Sequence, residues 1–362
     1  MINSVLHVCK VFLPVRGGVQ RVVAQITQSV EKLNHTVLTT GVDGAIRSEK
    51  KYEAQIKRKY SPLEIASMPI APSLAWYILT KSSQYGLIAL HYPFPLAEAA
   101  IALNPFSPKI VIHWHSEIIA QRKLKWLVMP ITFLLLLRAK KIVVTSQNMI
   151  DASSILKHFK SKLIVVPYGM PSINTENTNN QEDNFFLMVG RHVSYKGIDI
   201  AIRAISLGDQ KLVVCGHGPL YEKHRKMARD LGVEEQITFK PYADDDEVVS
   251  LISRCRALLV PSTMDNEAFA LVQLEAMRLG KPIINTSLNS SVPWVARHER
   301  EAITVAPGDA EALRDAMLKL TSDPALAEEL GSNGLKRFNK KFTAELFTKR
   351  IGALYEAVLK ED

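Results

Sequence analysis

The chain has 362 residues, 47% of them apolar and 22% charged. That is too long for one hydrophobic core and too apolar for disorder outside short linkers, so two domains are expected. The net charge of +9 is lopsided: residues 1–168 carry 21 Lys and Arg against 8 Asp and Glu, whereas residues 169–362 carry 24 against 28.

A net +13 on the first half points to an anionic partner, phospholipid or a phosphorylated acceptor. Nucleic acid is set aside because the basic half holds no recognisable reading motif. Cys9, Cys215 and Cys255 lie far apart, with no CxxC pair or Cys/His cluster, so no zinc framework is expected and a reducing, cytoplasmic setting fits. The opening MINSVLHVCKVF lacks a charged leader and a small-residue cleavage site, which argues against a secretory signal.

Along the first half, β-branched runs predict strands at Val5–Val11, Val37–Thr40, Leu87–His91, Ile110–His113, Ile142–Thr145 and Leu163–Pro167. Helical patterns fall at Val19–Leu33 and Gln147–His158. The densest basic clusters are Arg47–Lys59 and Arg122–Lys125; a solvated face is the plain reading of either alone. Trp126–Leu137 is the longest apolar run, too short to span a bilayer, and reads as a core helix or a shallow membrane-surface element. Tyr168–Asn184, rich in Asn, Thr and acidic residues, reads as a linker.

The second half restarts the alternation. Strands are predicted at Phe185–Val189, Leu212–Cys215, Ile237–Phe239, Ala257–Val260, Pro282–Asn285 and Ile303–Val305. Helices are predicted at Gly197–Ser206, Leu220–Leu231, Asp245–Arg254, Phe269–Leu279, Ala310–Thr321, Pro324–Phe338 and Thr343–Leu359. The expected architecture is therefore α/β: two Rossmann-like doubly wound domains facing a central cleft, over residues 1–168 and 185–342 with a linker at 169–184. The last helix, 343–359, is expected to pack back on the first domain.

The chemistry concentrates in LVPSTMDNEAFALVQLEAMRLG (Leu259–Gly280). A buried strand ends at Pro261 and a helix is expected near Ala268, with Glu267 at its entrance and Glu275 two turns inside. Eight helical residues rise about 12 Å, enough to grasp two parts of one extended ligand. Backbone N–H groups of Phe269, Ala270 and Leu271 then suit a diphosphate at the helix start. Arg191 and Lys196 stand five apart at a strand end and helix start, where two cations suit an anion and a solvated pair beside a turn is the plain alternative. In the first half, Gly17–Gly18 stands between a strand and a helix, where glycine permits close backbone approach, and HWHSE (His113–Glu117) ends a strand. No acidic or cysteine ligands accompany its histidines, so packing rather than metal binding is expected of His113 and His91.

The segment EAFALVQLE resembles the motif of two glutamates seven residues apart in family 4 retaining glycosyltransferases, which have the GT-B fold. GRHVSYKGIDIAI, GHGPL, VPS, EAMRLGKPII and PGDAEAL follow in that family's order, as do Gly17–Gly18, His115 and VVPYG in the first half. The resemblance implies that Glu275 holds the ribose, Glu267 a donor-sugar hydroxyl, and Arg191 and Lys196 the diphosphate. Gly17 and Gly18 would lie under the phosphates and His115 beside the reacting carbon; apart from the resemblance, Glu117 is the nearest candidate for a covalent nucleophile, and Ser116 and Glu117 are read instead as orienting His115. The resemblance also implies a nucleotide-sugar donor as substrate, no cofactor and no metal, and front-face displacement with retention. HYPFPLAEAA and HWHSEI look like bacterial enzymes of lipid-linked surface polysaccharide synthesis, many of them mannosyltransferases. The expected donor is therefore GDP-mannose and the acceptor a lipid-linked saccharide, with Arg122, Lys123, Lys125 and Trp126 docking on an anionic inner leaflet. A UDP-sugar-dependent transferase, a UDP-sugar epimerase that does not use NAD and a noncatalytic binding protein are the alternatives. Ala270, Ser291, Glu299 and Ala302 depart from glycines common in the family.

Overall fold

The computed structural model describes residues 3–15, 17–41, 48–65, 68–117, 122–173 and 183–361. The chain divides into two compact units, Met1–Tyr168 with Ala344–Asp362, and Gly169–Thr343. Of the expected linker, residues 174–182 lie outside the described residues.

The first unit runs β1 (Ser4–Val8), α1 (Gly18–Ser29), β2 (Asn34–Gly41), β3 (Ser48–Lys51), β4 (Ala54–Tyr60), then a small hairpin of β5 (Leu63–Ile65) and β6 (Met68–Ile70). It continues with α2 (Pro72–Lys81), β7 (Leu87–Tyr92), α3 (Pro95–Leu103), β8 (Lys109–Trp114), α4 (Arg122–Arg138), β9 (Lys141–Val144), α5 (Gln147–Ala152) and β10 (Leu163–Val165). Its sheet has the order β10-β9-β8-β7-β1-β2-β4-β3, parallel except where β3 meets β4. Strands covered on both faces read as unbroken apolar runs, and all of β7 is buried. Prolines open α2 and α3, where a missing N–H costs nothing.

Two segments differ from the sequence reading. The basic run Arg47–Lys59 contains a strand pair: Ala54 and Ile56 point into the core while Lys57 donates to the Tyr77 hydroxyl at 2.8 Å and Arg58 pairs with Glu49 at 3.1 Å. Alternation hid beneath the charge because only one face of β4 is apolar. The predicted helix Gln147–His158 stops at Ala152, and a separate 3-10 segment occupies Leu156–Lys162.

Helix α4 carries the long apolar run on two faces. Thr132, Leu135 and Leu136 are buried, whereas Phe133, Leu134 and Leu137 are 42%, 36% and 53% exposed. The side chains of 122–127 lie outside the described residues, so the docking expectation for Arg122, Lys123, Lys125 and Trp126 has only a helical backbone to show. No helix among the described residues is long and apolar enough to cross a membrane.

The second unit comprises β11 (Phe186–Val189), α6 (Ile198–Ile205), β12 (Leu212–Cys215), α7 (Tyr221–Asp230), β13 (Ile237–Lys240), α8 (Asp245–Arg254), β14 (Ala257–Val260), α9 (Val272–Arg278) and β15 (Ile283–Thr286). It ends with α10 (Val292–Val295), β16 (Ala302–Val305), α11 (Ala310–Ser322) and α12 (Pro324–Lys341). The wholly parallel sheet has the order β13-β12-β11-β14-β15-β16, the reversal at β11/β14 marking where ligands of such sheets bind. Asp244, Asp309 and Asp323 cap α8, α11 and α12 by accepting from first-turn N–H groups. The last helix, α13 (Ala344–Lys360), belongs to the first unit, where Tyr355 meets His113 across 2.6 Å.

Two of the residues at which the resemblance leads one to expect glycine have a left-handed backbone. Ala270 and Glu299 both have φ of 55°. Ala270→Gly should therefore stabilise the second unit by about 1 kcal/mol: a left-handed penalty of ~1–2 kcal/mol is relieved, less ~0.4–1 kcal/mol of unfolded-chain entropy. Urea denaturation reads this, and a lower midpoint would show that the Ala270 methyl packs better than its backbone strains.

Burial also fixes a pH dependence. His7, His91, His113 and His115 are all enclosed in the first unit, and loss of water pushes His113 and His115 down to about 3 and the other two well below the ordinary range. The unfolded chain takes up protons below about pH 6.5 and the native chain does not, so stability is full above that pH. His113 and His115 each remove about 1.4 kcal/mol per pH unit as the pH falls from there towards about 3, and His7 and His91 act in the same direction. Thermal unfolding followed by tryptophan fluorescence should show a midpoint falling from pH 7 to pH 5; a flat midpoint would mean the histidines are not held neutral.

Candidate active site

Three chain passages meet at the C-terminal ends of β11 and β14. Beyond β11, Gly190 donates its N–H to the Cys215 carbonyl at 2.9 Å, and the loop then carries Arg191 and Lys196. Gly197, with φ of +68°, follows at once; a Cβ there would lie 1.9 Å from the Pro261 carbonyl oxygen, so only glycine lets this loop press against the end of β14. Gly216 plays the same part on the other side, where a Cβ would stand 2.1 Å from the Gly190 carbonyl. Thr263 N–H then donates to the Tyr195 carbonyl at 2.8 Å, stitching the two loops together.

This approach delivers Lys196 Nζ to within 2.5 Å of Glu267 Oε2, and the Ser262 hydroxyl donates to the same oxygen at 3.1 Å. Glu267 is buried and Lys196 half-buried, so the pair is shielded from water and its attraction is stronger than a surface ion pair's. Gly190, Lys196, Pro261, Ser262 and Val272 line one small pocket. Arg191 is exposed at its strand end. Its charge and that of Lys196 favour the Tyr195 phenolate, but burial, assisted by Glu267, wins and raises the Tyr195 hydroxyl above its ordinary range.

The acidic segment is shaped differently from the expected helix. Helix α9 begins at Val272, not near Ala268, because the left-handed turn at Ala270 breaks the run. Glu267 consequently lies in a loop, closing a turn with its N–H on the Met264 carbonyl at 3.0 Å, and Glu275 occupies the first turn of α9 rather than its second. The 12 Å helical spacing between the two glutamates does not apply. Phe269 turns its ring into the core, edge-on to Phe342 at 6.3 Å, and Ala270 and Leu271 precede the helix, their carbonyls receiving the N–H groups of Gln273 and Leu274.

Sequence reasoning missed what holds this loop. Gln273 and Asn285 are fully buried: Asn285 Nδ2 donates to Gln273 Oε1 at 3.0 Å, Gln273 Nε2 to the Phe269 carbonyl at 3.1 Å, and Thr304 Oγ1 to Asn285 Oδ1 at 2.7 Å. A satisfied polar network of this kind fixes a single loop conformation. Its signal was present as polar residues at core positions, Gln273 inside an apolar helix face and Asn285 inside a buried strand. Asp265 Oδ1 accepts from Asn289 N–H and the Ala268 carbonyl from Ser291 N–H, pinning the loop's outer edge. Ser291, with φ of −74°, has no need of glycine, and Ala302 lies extended in β16.

In the first unit, Gly17 precedes α1 and Gly18 opens it, as placed from sequence. Gly17 is extended, with φ of 178°, so its backbone is one any residue adopts; a Cβ would meet only the flexible tip of Gln20. His115 follows β8, with its N–H on the Tyr92 carbonyl at 3.2 Å. Its ring is buried between His91, whose Nδ1 is 2.9 Å from His115 Nε2, and the Tyr168 hydroxyl. The Glu117 carboxylate receives the Ser153 hydroxyl at 2.6 Å. His113 packs against Tyr355, and its ring stacks on His91 at 4.8 Å. Among the described residues no group of His, Cys, Asp and Glu is arranged to hold a metal ion.

Comparison with known proteins follows these boundaries. The family described as "Glycosyltransferase Family 4" matches residues 16–171, and that described as "Glycosyl transferases group 1" matches residues 169–337. An O-antigen chain mannosyltransferase of Escherichia coli is 26% identical over 98% of this chain and 99% of its own length. A D-rhamnosyltransferase of Pseudomonas aeruginosa is 29% identical over 94% of this chain and 92% of its own. In fold, the chain is similar to a sucrose-phosphate synthase from Thermosynechococcus elongatus, with a TM-score of 0.80 at 20% identity over 98% and 99% of the two chains. An Anabaena protein in complex with UDP and glucose gives the same TM-score at 16% identity, covering 99% of this chain and all of that one. Two Rossmann-like units of this kind make the GT-B fold, and with the two family descriptions running end to end over residues 16–337, the chain belongs to the family 4 glycosyltransferases.

Proposed function

We propose that this glycosyltransferase moves mannose from GDP-mannose onto a lipid-linked saccharide in the synthesis of bacterial surface polysaccharide, with retention at the anomeric carbon. The observation that carries the reading is the 2.5 Å contact of Lys196 with Glu267, braced by Ser262. The contact supports a reading in which Lys196 is the cation for the leaving phosphate and Glu267 the carboxylate for a sugar hydroxyl, since it brings the two together. Similarity to the O-antigen mannosyltransferase and the D-rhamnosyltransferase supports the class of pathway and a hexose or deoxyhexose donor.

In this reading Arg191 and Lys196 stabilise charge on the departing nucleoside diphosphate, and the leaving oxygen takes the proton of the incoming hydroxyl on the same face. Glu267 orients the sugar and Glu275 the ribose. Gly17, Gly18 and the ring of His115 are the first unit's contribution. The backbone N–H groups of Phe269, Ala270 and Leu271 complete the donor contacts in a loop held rigid by the Gln273–Asn285 network. The nucleotide sugar is the substrate, and neither cofactor nor metal takes part. The enzyme works on the cytoplasmic face of the membrane, where the start of α4, with Arg122, Lys123, Lys125 and Trp126, meets anionic lipid. Each basic residue contributes about 1 kcal/mol there, and the exposed Phe133, Leu134 and Leu137 of the same helix support that docking.

Two measurements test this. Lys196→Ala should lower kcat by about 10²–10³, the usual cost of one electrostatic donor at a transition state. Glu267→Ala should act on the same step, with melting curves run alongside because each partner leaves the other charge buried. Wild-type kcat in both variants would remove the site from the reaction. Thermal-shift titration should single out GDP-mannose among GDP-, UDP-, ADP- and dTDP-sugars, adding about 2.7 kcal/mol at a hundred times its Kd. Selective stabilisation by a UDP-sugar would reassign the donor, and silence from every nucleotide would defeat the enzymatic reading.

A further inference from the structure

Four buried histidines of the first unit form a continuous hydrogen-bonded file. It starts at the Val30 carbonyl, 2.9 Å from His35 Nε2, and passes from His35 Nδ1 to His7 Nε2 at 3.0 Å. It continues from His7 Nδ1 to His91 Nε2 at 3.3 Å and from His91 Nδ1 to His115 Nε2 at 2.9 Å, and it ends where His115 Nδ1 meets the Tyr168 hydroxyl. The file crosses β2, β1 and β7 to the end of β8, one imidazole per strand. The relative exposures of His7, His35, His91 and His115 are all 6% or less, so water does not replace any of these contacts.

The direction of the file follows from its first member. A carbonyl oxygen only accepts, so His35 must carry its proton on Nε2. Enclosure keeps all four rings neutral, and a neutral imidazole has one donor and one acceptor nitrogen. His35 Nδ1 therefore accepts, His7 donates from Nε2, His91 donates from Nε2, and His115 does the same. That leaves His115 Nδ1 as an acceptor, and Tyr168 as the donor to it. Reversing every proton would set the lone pair of His35 Nε2 against that of the Val30 oxygen, leaving the buried His35 nitrogen without a donor. The file does not conduct protons either, because its Val30 end is a carbonyl that neither stores nor releases one.

We propose that His7, His35 and His91 are positioning residues that hold His115 as the Nε2–H tautomer, with Tyr168 donating to Nδ1. His115 then meets the donor sugar with both nitrogens committed, so it is not the proton acceptor of the reaction; the proton of the incoming hydroxyl goes to the leaving phosphate oxygen. This deepens the preceding reading and rests on it for the presence of the sugar at His115. The tautomer itself does not depend on it.

The test is nitrogen-15 NMR of the histidine-labelled full chain near pH 7.5, with kinetics on the same samples. In the native protein His7, His35, His91 and His115 should each show a protonated Nε2 and a bare Nδ1. His35→Leu removes the directing end, and a second tautomer should appear at His115, three rings away. Its kcat should fall about 10-fold, the low end for loss of a partner that orients an active-site histidine by analogy with metal sites, while KM stays near native. His35→Gln, whose amide donates to Val30 and accepts from His7, should restore both tautomer and rate. Tyr168→Phe should leave the Nε2–H form in place, because the direction is set from the Val30 end, and it keeps the test valid if His35→Leu fails to fold. A native His115 carrying its proton on Nδ1, a tautomer switch in Tyr168→Phe, or native kcat in a His35→Leu protein whose tautomer has changed would each overturn the proposal. Full activity in His115→Ala would instead remove His115 from the sugar, a failure of the functional reading that leaves the tautomer result standing.

Discussion

The candidate site of the second unit depends on a backbone contact. Gly197 lies so close to the Pro261 carbonyl that any Cβ would overlap it. That approach brings the loop after β11 onto the end of β14, and the hydrogen bond from Thr263 to the Tyr195 carbonyl holds it there. The Lys196–Glu267 pair is the chemical consequence. Removing two charges from water is costly unless each finds a partner at close range, and here the partners are set by glycine rather than by their own reach. Ser262 satisfies the same carboxylate oxygen, so the charge is both paired and hydrogen-bonded.

Strain and rigidity are matched in the loop that carries the acidic residues. Ala270 adopts a left-handed conformation that L-residues avoid, which persists only where the surroundings overdetermine it. Those surroundings are visible: Gln273 holds the Phe269 carbonyl, Asn285 holds Gln273, and Ser291 holds the Ala268 carbonyl. The polar groups are buried, but each of these contacts is made, so the network specifies one conformation instead of weakening the core. Glu267 and Glu275 are thereby placed on opposite sides of a fixed turn.

The first unit solves a different problem. Polar rings from neighbouring strands stack across its sheet, and in the file from His35 to His115 each ring satisfies the next. The final helix completes the arrangement, since Tyr355 supplies the partner of His113. A helix separated from the rest of its unit by a whole second unit is thus needed to close a buried polar cluster near the strand ends.

The α/β class was legible in the sequence because strands buried on both faces become apolar runs and capped amphipathic helices separate them. Glu267, Lys196 and Arg191 were singled out by the resemblance of EAFALVQLE and GRHVSYKGIDIAI to the family's motifs, since their spacing alone is compatible with coincidence. Others were hidden for identifiable reasons. Strand β4 was masked by the charge on its outer face, and the true start of α9 by Ala270, which has good helix propensity but a left-handed backbone imposed from outside. Gln273 and Asn285 showed only as polar residues within apolar runs, and the partnership of His35, His7, His91, His115 and Tyr168 has no sequence signature, for its members are up to 161 residues apart. The local pattern of apolar and polar residues determined which elements form and which ionisable groups they carry. Only the tertiary structure decided which of those groups touch, because hydrogen bonds and ion pairs act over about 3 Å and chain order does not encode that distance.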